Sequence, residues 1–457
     1  MKTPSVSAQT HVAQRRDVEV KPIKVGLLGI GTVGSGTFNV LRRNQDEIRG
    51  RAGRGIEIAM VADLDVERAR SIVGNAENVT VVGDARAVIA NPEIDIVIEL
   101  IGGYGVARTL VLEAIAAGKH VVTANKALLA VHGTEIFAAA RAKGVVVAFE
   151  AAVAGGIPII KALREGLTAN RIEWLAGIIN GTTNFILSEM RAKGLDFGVA
   201  LKEAQRLGYA EADPTFDIEG IDAAHKLTLM SAIAFGIPVQ FEKAHVEGIT
   251  QLQAADIKYA EQLGYRIKLL GLTRRRENGL ELRVHPTLIP THRLIANVEG
   301  AMNAVVVQGD AVGTTLYYGK GAGAEPTASA VIADLVDITR LHTADPDHRV
   351  PHLAFQHDSM SNTPILPMDE VLTSFYLRLC VADRAGVLSS ITTILAGNDI
   401  SIDAVLQRES AEGEKQTDLV ILTHECIEGR MNKALAQMQA LETVLAPIVR
   451  IRKEELA

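Results

Sequence analysis

The chain has 457 residues and a formal net charge of -7, with 48% hydrophobic and 22% charged residues; at roughly 100–200 residues per domain that predicts two to four globular domains. The charge, together with a single tryptophan (Trp174) and 4% aromatic residues, argues against a nucleic-acid binder, which needs a basic face or stacking platforms. Two cysteines, Cys380 and Cys426, make neither a disulfide framework nor a zinc site, which points to a reducing, cytoplasmic setting. No apolar run reaches the ~18 residues of a membrane helix, so no membrane partner is expected. Residues 1–21 are polar, carry Arg15 and Arg16 but no apolar stretch, and are expected to form a flexible tail rather than a secretory signal.

From Pro22 to Glu150, short runs rich in Val and Ile alternate with helical stretches. Strands are predicted at Lys24–Leu28, Ile56–Ala62, Val79–Val82, Ile94–Leu100, His120–Thr123 and Val145–Phe149, with helices such as Glu67–Val73 and Ala107–Ala117 between them. Runs that are apolar almost throughout suit strands buried on both faces of a parallel sheet. The alternation predicts an α/β, Rossmann-type doubly wound domain over residues 22–150. Beyond it longer amphipathic stretches appear, such as Ile221–Phe235 and Ala254–Leu263, and an α+β domain is expected over residues 151–318. Residues 342–371 hold four Pro and four His between His342 and Pro367, and read as a linker. From residue 372 to 457 the pattern is strand, helix, strand, strand, helix, strand, at Ser374–Val381, Gly386–Ala396, Ser401–Gln407, Thr417–Thr423, Gly429–Ala440 and Ala446–Arg450. That is the ferredoxin-like order.

The first strand runs into Gly29-Ile30-Gly31-Thr32-Val33-Gly34, and a helix follows over Ser35–Arg42 or longer. In a strand–GxGxxG–helix unit the first glycine makes the turn, the second lets backbone approach a pyrophosphate, and the third lets the helix pack on the strand. The helix N-terminus then faces the anion. Asp63 ends the second strand, where a carboxylate can bind the adenine ribose. It lies 29 residues after Gly34 rather than ~20, because Gln45–Gly55 looks inserted. An acid there favours NAD over NADP, Arg68 and Arg70 nearby soften that preference, and the choice stays open. Gly102 and Gly103 follow the fourth strand, and Asn125 and Lys126 the fifth, at the sheet edge where such folds bind ligands. A lone lysine in that position is also compatible with a solvated loop.

Five acids (Glu211, Asp213, Asp217, Glu219 and Asp222) fall within twelve residues, just ahead of Lys226. Asp222 and Lys226 are four apart and share a helical face. One reading is a surface ion pair worth ~0.3–0.5 kcal/mol. The other is a site for a zwitterionic substrate, with carboxylates for its ammonium and a lysine that protonates an alkoxide formed by hydride addition.

Six ordered motifs together resemble homoserine dehydrogenases over nearly the whole chain, from Val25 to about Arg450. They are Gly29–Gly34, Thr123–Ala130, Glu150–Pro158, Asn180–Phe185, Glu211–Lys226, and Gly319–Gly323 with Pro326–Ala330. The resemblance implies reversible reduction of L-aspartate 4-semialdehyde to L-homoserine with NADP or NAD, on the way to threonine and methionine. It implies that Lys226 protonates the alkoxide, that Lys126 touches nicotinamide and substrate, and that Glu211 binds the substrate's amino end. Asp217 and Asp222 would position substrate and Lys226. Residues 319–341, with Gly321 and Gly323, would return to the cofactor domain. Glu150, Val153, Gly155 and Ile157 match a structural sodium site made by backbone carbonyls. Homodimers or homotetramers are implied.

The C-terminal segment resembles an ACT domain, on Leu377–Leu388 with Asp383 and Gly386, and on Asn398–Ile402. Such domains pair and bind amino acids, so an effector, with threonine the natural choice, is expected at residues 372–457; a pairing module without ligand is the alternative. The histidines at 342, 348, 352 and 357 are not expected to hold a metal, because Pro346 and Pro351 break any helix that could align them.

Overall fold

The structure, a computed structural model, describes residues 21–342, 344–346, 349–407 and 415–456. The tail expected over residues 1–21, Lys21 apart, lies outside the described residues, as does His348.

The N-terminal third is a six-stranded parallel sheet of β1 (Ile23–Leu28), β2 (Ile56–Ala62), β3 (Thr80–Val82), β4 (Ile96–Glu99), β5 (His120–Thr123) and β6 (Val147–Ala148). Its order is β3-β2-β1-β4-β5-β6, the doubly wound arrangement whose ligand crevice lies where strand order reverses, between β1 and β4. On β4, Ile96 and Ile98 enter one core cluster and Val97 the other. Covered on both faces, such a strand has no polar side to show, which is why Ile96–Ile98 read as an apolar run. Helices α1 (Thr32–Arg43), α2 (Gly105–Ala116) and α3 (Lys126–Lys143) start at the carboxyl ends of β1, β4 and β5.

The second sheet has eleven strands. Its main path uses β7 (Ile172–Ile178), β8 (Tyr265–Arg276), β9 (Gly279–Pro290), β10 (Met302–Gly309), β11 (Gly313–Lys320), β12 (Leu372–Ala382), β13 (Ile402–Gln407), β14 (Gln416–Thr423) and β15 (Val449–Lys453), in the order β11-β10-β7-β8-β9-β15-β12-β14-β13. Helices α4 (Gly181–Lys193) and α5 (Ile221–Phe235) belong to this half. After β11 the chain crosses back: on α6 (Ala324–Leu341), Ala328, Val331 and Leu335 join Phe38 and Leu41 of α1 in one core cluster, and Glu325 pairs with Arg43 at 2.8 Å.

Three features depart from the sequence reading. The C-terminal domain, with α7 (Val387–Gly397) and α8 (Glu428–Gln439), shares its sheet with the middle domain, because β15 pairs in parallel with β9 through Thr287↔Arg452 and Leu288↔Lys453. The last strand lies at Val449–Lys453 rather than Ala446–Arg450. Arg452 and Lys453, beyond the predicted strand, are both buried against carboxylates. The expected linker is packed rather than free: the Val147 N–H donates to His352 Nε2 at 3.1 Å, that ring stacks on Phe137, and the Leu280 N–H donates to the Pro364 carbonyl at 2.9 Å.

Candidate active site

The turn after β1 opens at Gly29 in left-handed backbone (φ 87°). A Cβ on Gly34 would lie 2.2 Å from the Gly29 carbonyl oxygen, so the third glycine seats α1 against the turn. A Cβ on Gly31 would meet nothing within 4 Å, and the same holds at Gly102 and Gly103 on the facing loop. No side chain caps the first turn of α1, which begins at Thr32 and Val33. The space is open and, among the described residues, no side chain takes the backbone donors at the start of α1, so the residues fit a dinucleotide pyrophosphate. Asp63 Oδ2 accepts the Ile30 N–H at 2.8 Å and Oδ1 accepts the Asp65 N–H at 3.0 Å, so this carboxylate holds the loop.

Sequence reasoning gave no role to Glu99. Its carboxylate, fully buried at the end of β4, accepts the N–H groups of Ile101 and Gly102 and the Thr123 hydroxyl. Asn125 caps α3 through the Leu128 N–H and donates to the Gly103 carbonyl at 2.8 Å. The two loops beside the crevice are thus tied together, and the one signal for Glu99 was an acid near the end of a mostly apolar run, Ile94–Leu100, that also holds Asp95.

Lys126, the first residue of α3, places its Nζ 3.4 Å from Asp222 Oδ1. Lys226 Nζ donates to the other oxygen, Oδ2, at 2.6 Å and to the Ile179 carbonyl at 2.9 Å. Asn180, the N-cap of α4, accepts the Thr183 N–H and donates to Asp217 Oδ1 at 2.7 Å and Asp222 Oδ2 at 2.9 Å. One buried carboxylate therefore gathers a lysine from each domain, and an asparagine fixes it against a second carboxylate. Burial works against ionisation of Asp222, but the charges of Lys226 and Lys126 and the hydrogen bonds from Lys226 and Asn180 overcome it and hold the carboxyl down at about 2. Burial, then the Asp222 charge, pushes Asp217 up. Burial and the two lysines push His225, between the rings of Phe216 and Phe241, down to about 4. Asn180 was visible only as part of a motif, with no role attached.

The structure thus brings Lys126, Asp217, Asp222 and Lys226 together. It leaves Glu211 exposed, with no hydrogen bond or ion pair from its carboxylate among the described residues. Its loop is tied down by the Thr182 hydroxyl, which donates to the Tyr209 carbonyl. Gly321 and Gly323 lie where the chain crosses back. The Gly156 N–H donates to the Lys320 carbonyl at 2.9 Å, a Cβ on Gly155 would sit 2.7 Å from the Gly321 carbonyl oxygen, and Gly323 is the N-cap of α6.

At the Glu150–Ile157 turn, the Glu150 carboxylate is occupied by the N–H groups of Ile160 and Lys161, and burial pushes it up to about 7. A cation here would meet carbonyls instead. Among the described residues no donor reaches the Val153 or Gly155 carbonyls, while those of Glu150 and Ile157 each accept one backbone N–H. That oxygen set fits a hard monovalent ion. Among the described residues, no group of three or more His, Cys, Asp or Glu could hold a metal.

An open dinucleotide crevice facing a lysine–aspartate cluster marks a nicotinamide-dependent oxidoreductase carrying a ferredoxin-like C-terminal domain. Family models of the homoserine dehydrogenase NAD-binding domain, homoserine dehydrogenase and the ACT domain match residues 29–150, 158–336 and 375–443. The chain is 62% identical over 437 residues to a homoserine dehydrogenase of Pseudomonas aeruginosa, covering 96% of this chain and all of that one. It superposes on a crystal structure of a homoserine dehydrogenase from Thiobacillus denitrificans with a TM-score of 0.91 at 66% identity, covering 96% of this chain and 99% of that one. For the S. aureus homoserine dehydrogenase at pH 7.5 the TM-score is 0.73 at 31% identity, over 95% and 99%. The chain belongs to the homoserine dehydrogenase family and is an oxidoreductase with an NAD-binding domain and an ACT domain.

Proposed function

We propose that the chain interconverts L-aspartate 4-semialdehyde and L-homoserine with NADP or NAD, in the route to threonine and methionine, and that Lys226 is the general acid. The observation that carries this is the Asp222 carboxylate shared by Lys126 and Lys226. A bound nicotinamide supplies the hydride that reaches the aldehyde carbon. Two of the three Lys226 donors are occupied by Asp222 and Ile179, which leaves one N–H for the substrate oxygen, and its proton passes to the alkoxide as the C–O double bond is reduced. Asp222 keeps both ammonium groups in place, and Lys126, from the cofactor domain, registers the nicotinamide position against the substrate. Asp217 and Glu211 are the acceptors for the substrate's ammonium, with Glu211, which is exposed, read as the rim member. In the reverse direction Lys226 takes the hydroxyl proton. Homoserine-dependent reduction of NAD and of NADP at alkaline pH, followed by nicotinamide absorbance, tests this; folded, cofactor-binding protein inert with both would overturn it.

A sodium ion on the carbonyls of Glu150, Val153, Gly155 and Ile157 belongs to the same reading and is supported by the Val153 and Gly155 oxygens, which no donor reaches among the described residues. The effector is proposed to be threonine, at a cavity of about 190 Å³ lined by Asp383, Arg384, Ala385, Gly386 and Gln407. Gly386, at φ 91°, opens α7 without a side-chain cap, which leaves backbone N–H groups for a carboxylate. A threonine titration of the initial rate that stays flat to saturation would remove the sensing role. A homodimer or homotetramer is supported by the unpaired edge of β13, where Val405 is exposed. A cytoplasmic setting is supported by two free thiols; no described helix is long and apolar enough to cross a membrane.

A further inference from the structure

The inserted strand β15 carries Arg452, whose side chain is 1% exposed. Its Nε donates to Glu428 Oε2 at 2.8 Å, at the start of α8 in the C-terminal domain. Its Nη1 and Nη2 donate to Glu247 Oε2 and Oε1 at 2.8 and 2.9 Å, in the middle domain. Arg450 adds a bond to Glu247 at 3.1 Å. The chain around Glu247 has no slack against the catalytic segment. A Cβ on Gly248 would lie 2.4 Å from the Ile218 carbonyl oxygen, and that oxygen accepts the Ile249 N–H at 2.8 Å. A Cβ on Gly220 would lie 3.3 Å from the Glu247 carbonyl oxygen. Gly220 is the N-cap of α5, the helix of Asp222 and Lys226, and Asp217 stands three residues before it. A fully buried arginine shared by two carboxylates is costly to desolvate and is no efficient way to add stability alone.

We infer that Glu247 and Arg452 form a strut by which the C-terminal domain positions the start of α5, so that Glu247 is a positioning residue for Asp217, Asp222 and Lys226. The strut delivers the last strand's placement to the chemistry without touching substrate or cofactor. It rests on the proposed role of Lys226. Misplacement of a catalytic group by about 1 Å costs up to ~100-fold in rate, so Glu247→Gln, which keeps shape and removes the charge, is expected to lower kcat roughly 10–100-fold. NAD affinity, read by fluorescence on the full-length protein, should stay unchanged. Arg452→Lys, which leaves the Arg450 bond to Glu247 in place, should lower kcat in the same direction, and the double variant should lose no more than Glu247→Gln alone, because both act on one connection. Glu247→Asp, which keeps the charge, should recover most of the turnover. Parental kcat in folded Glu247→Gln, or losses that multiply in the double variant, would overturn the strut. Lys226→Ala measured alongside separates the two claims: turnover that survives there is a failure of the acid assignment, and turnover that survives only in Glu247→Gln is a failure of the strut.

Discussion

Lys226 Nζ and Asp222 Oδ2 are 2.6 Å apart on one face of a single helix, and both side chains are nearly out of water, at 11% and 5% exposure. An i,i+4 pair of this kind on a wet surface contributes little; here its value is orientation, since Asp222 and the Ile179 carbonyl hold two of the three ammonium donors and leave one for the proposed substrate oxygen. Lys226→Ala should therefore lower kcat by ~10²–10⁴, the scale of one positioned acid, while cofactor affinity changes little. Steady-state kinetics with a parallel cofactor titration checks it, and near-normal turnover would refute the assignment.

The glycine loop separates a ligand-facing position from a structural one. Gly31→Ala adds a methyl group to open space, so the melting temperature should hold while NAD binding weakens by about tenfold or more, as expected when backbone no longer approaches a pyrophosphate. Gly34→Ala drives a methyl group to 2.2 Å from the Gly29 carbonyl oxygen, so the melting temperature itself should fall. Calorimetry and cofactor titration on both variants distinguish the positions; equal melting temperatures in both would contradict this division.

Locality decides how much of this was legible. The parallel strands are local apolar runs, and β2 and β5 lie where their residues predict. The Asp222–Lys226 pair follows from helical spacing alone. The partners that complete the site do not: Asn180 reaches Asp222 across 42 residues, and Lys126 arrives from another sheet. The last strand was placed too early for the same reason. Arg452 is buried only because Glu247, 205 residues away, and Glu428 meet it, and no window of sequence around Arg452 shows either.

Asp63 offers a test of cofactor choice. Its carboxylate holds the Ile30 and Asp65 N–H groups, so Asp63→Asn keeps one of the two acceptors the loop uses and removes the charge that would meet a 2′-phosphate. The ratio of kcat/KM for NADP over NAD should rise about tenfold, or ~1.4 kcal/mol, the size of one near-surface charge interaction. An unchanged ratio would show that the acid serves the loop alone.

His225 sets an acid limit on stability. Buried beside Phe216 and Phe241, its imidazole is pushed down to about 4 by burial and by the charges of Lys126 and Lys226. The unfolded chain takes up this proton near pH 6.5 and the folded chain only near 4, so the stability it contributes is full above 6.5 and is lost as pH falls to 4. With ~1.4 kcal/mol per pKa unit the loss is about 3 kcal/mol. Asp222 does not confuse this window, because its depressed carboxyl contributes stability until the pH drops below its unfolded value of 3.8 toward about 2. His120 and His352, also pushed down to about 4 by burial, lose stability over the same range, so the comparison must be between parent and variant. Denaturant unfolding at pH 7.5 and 4.5 should show the parent losing about 2.5 kcal/mol more than His225→Gln between the two pH values, most of the full loss; equal losses would mean that His225 is already charged in the fold at pH 4.5.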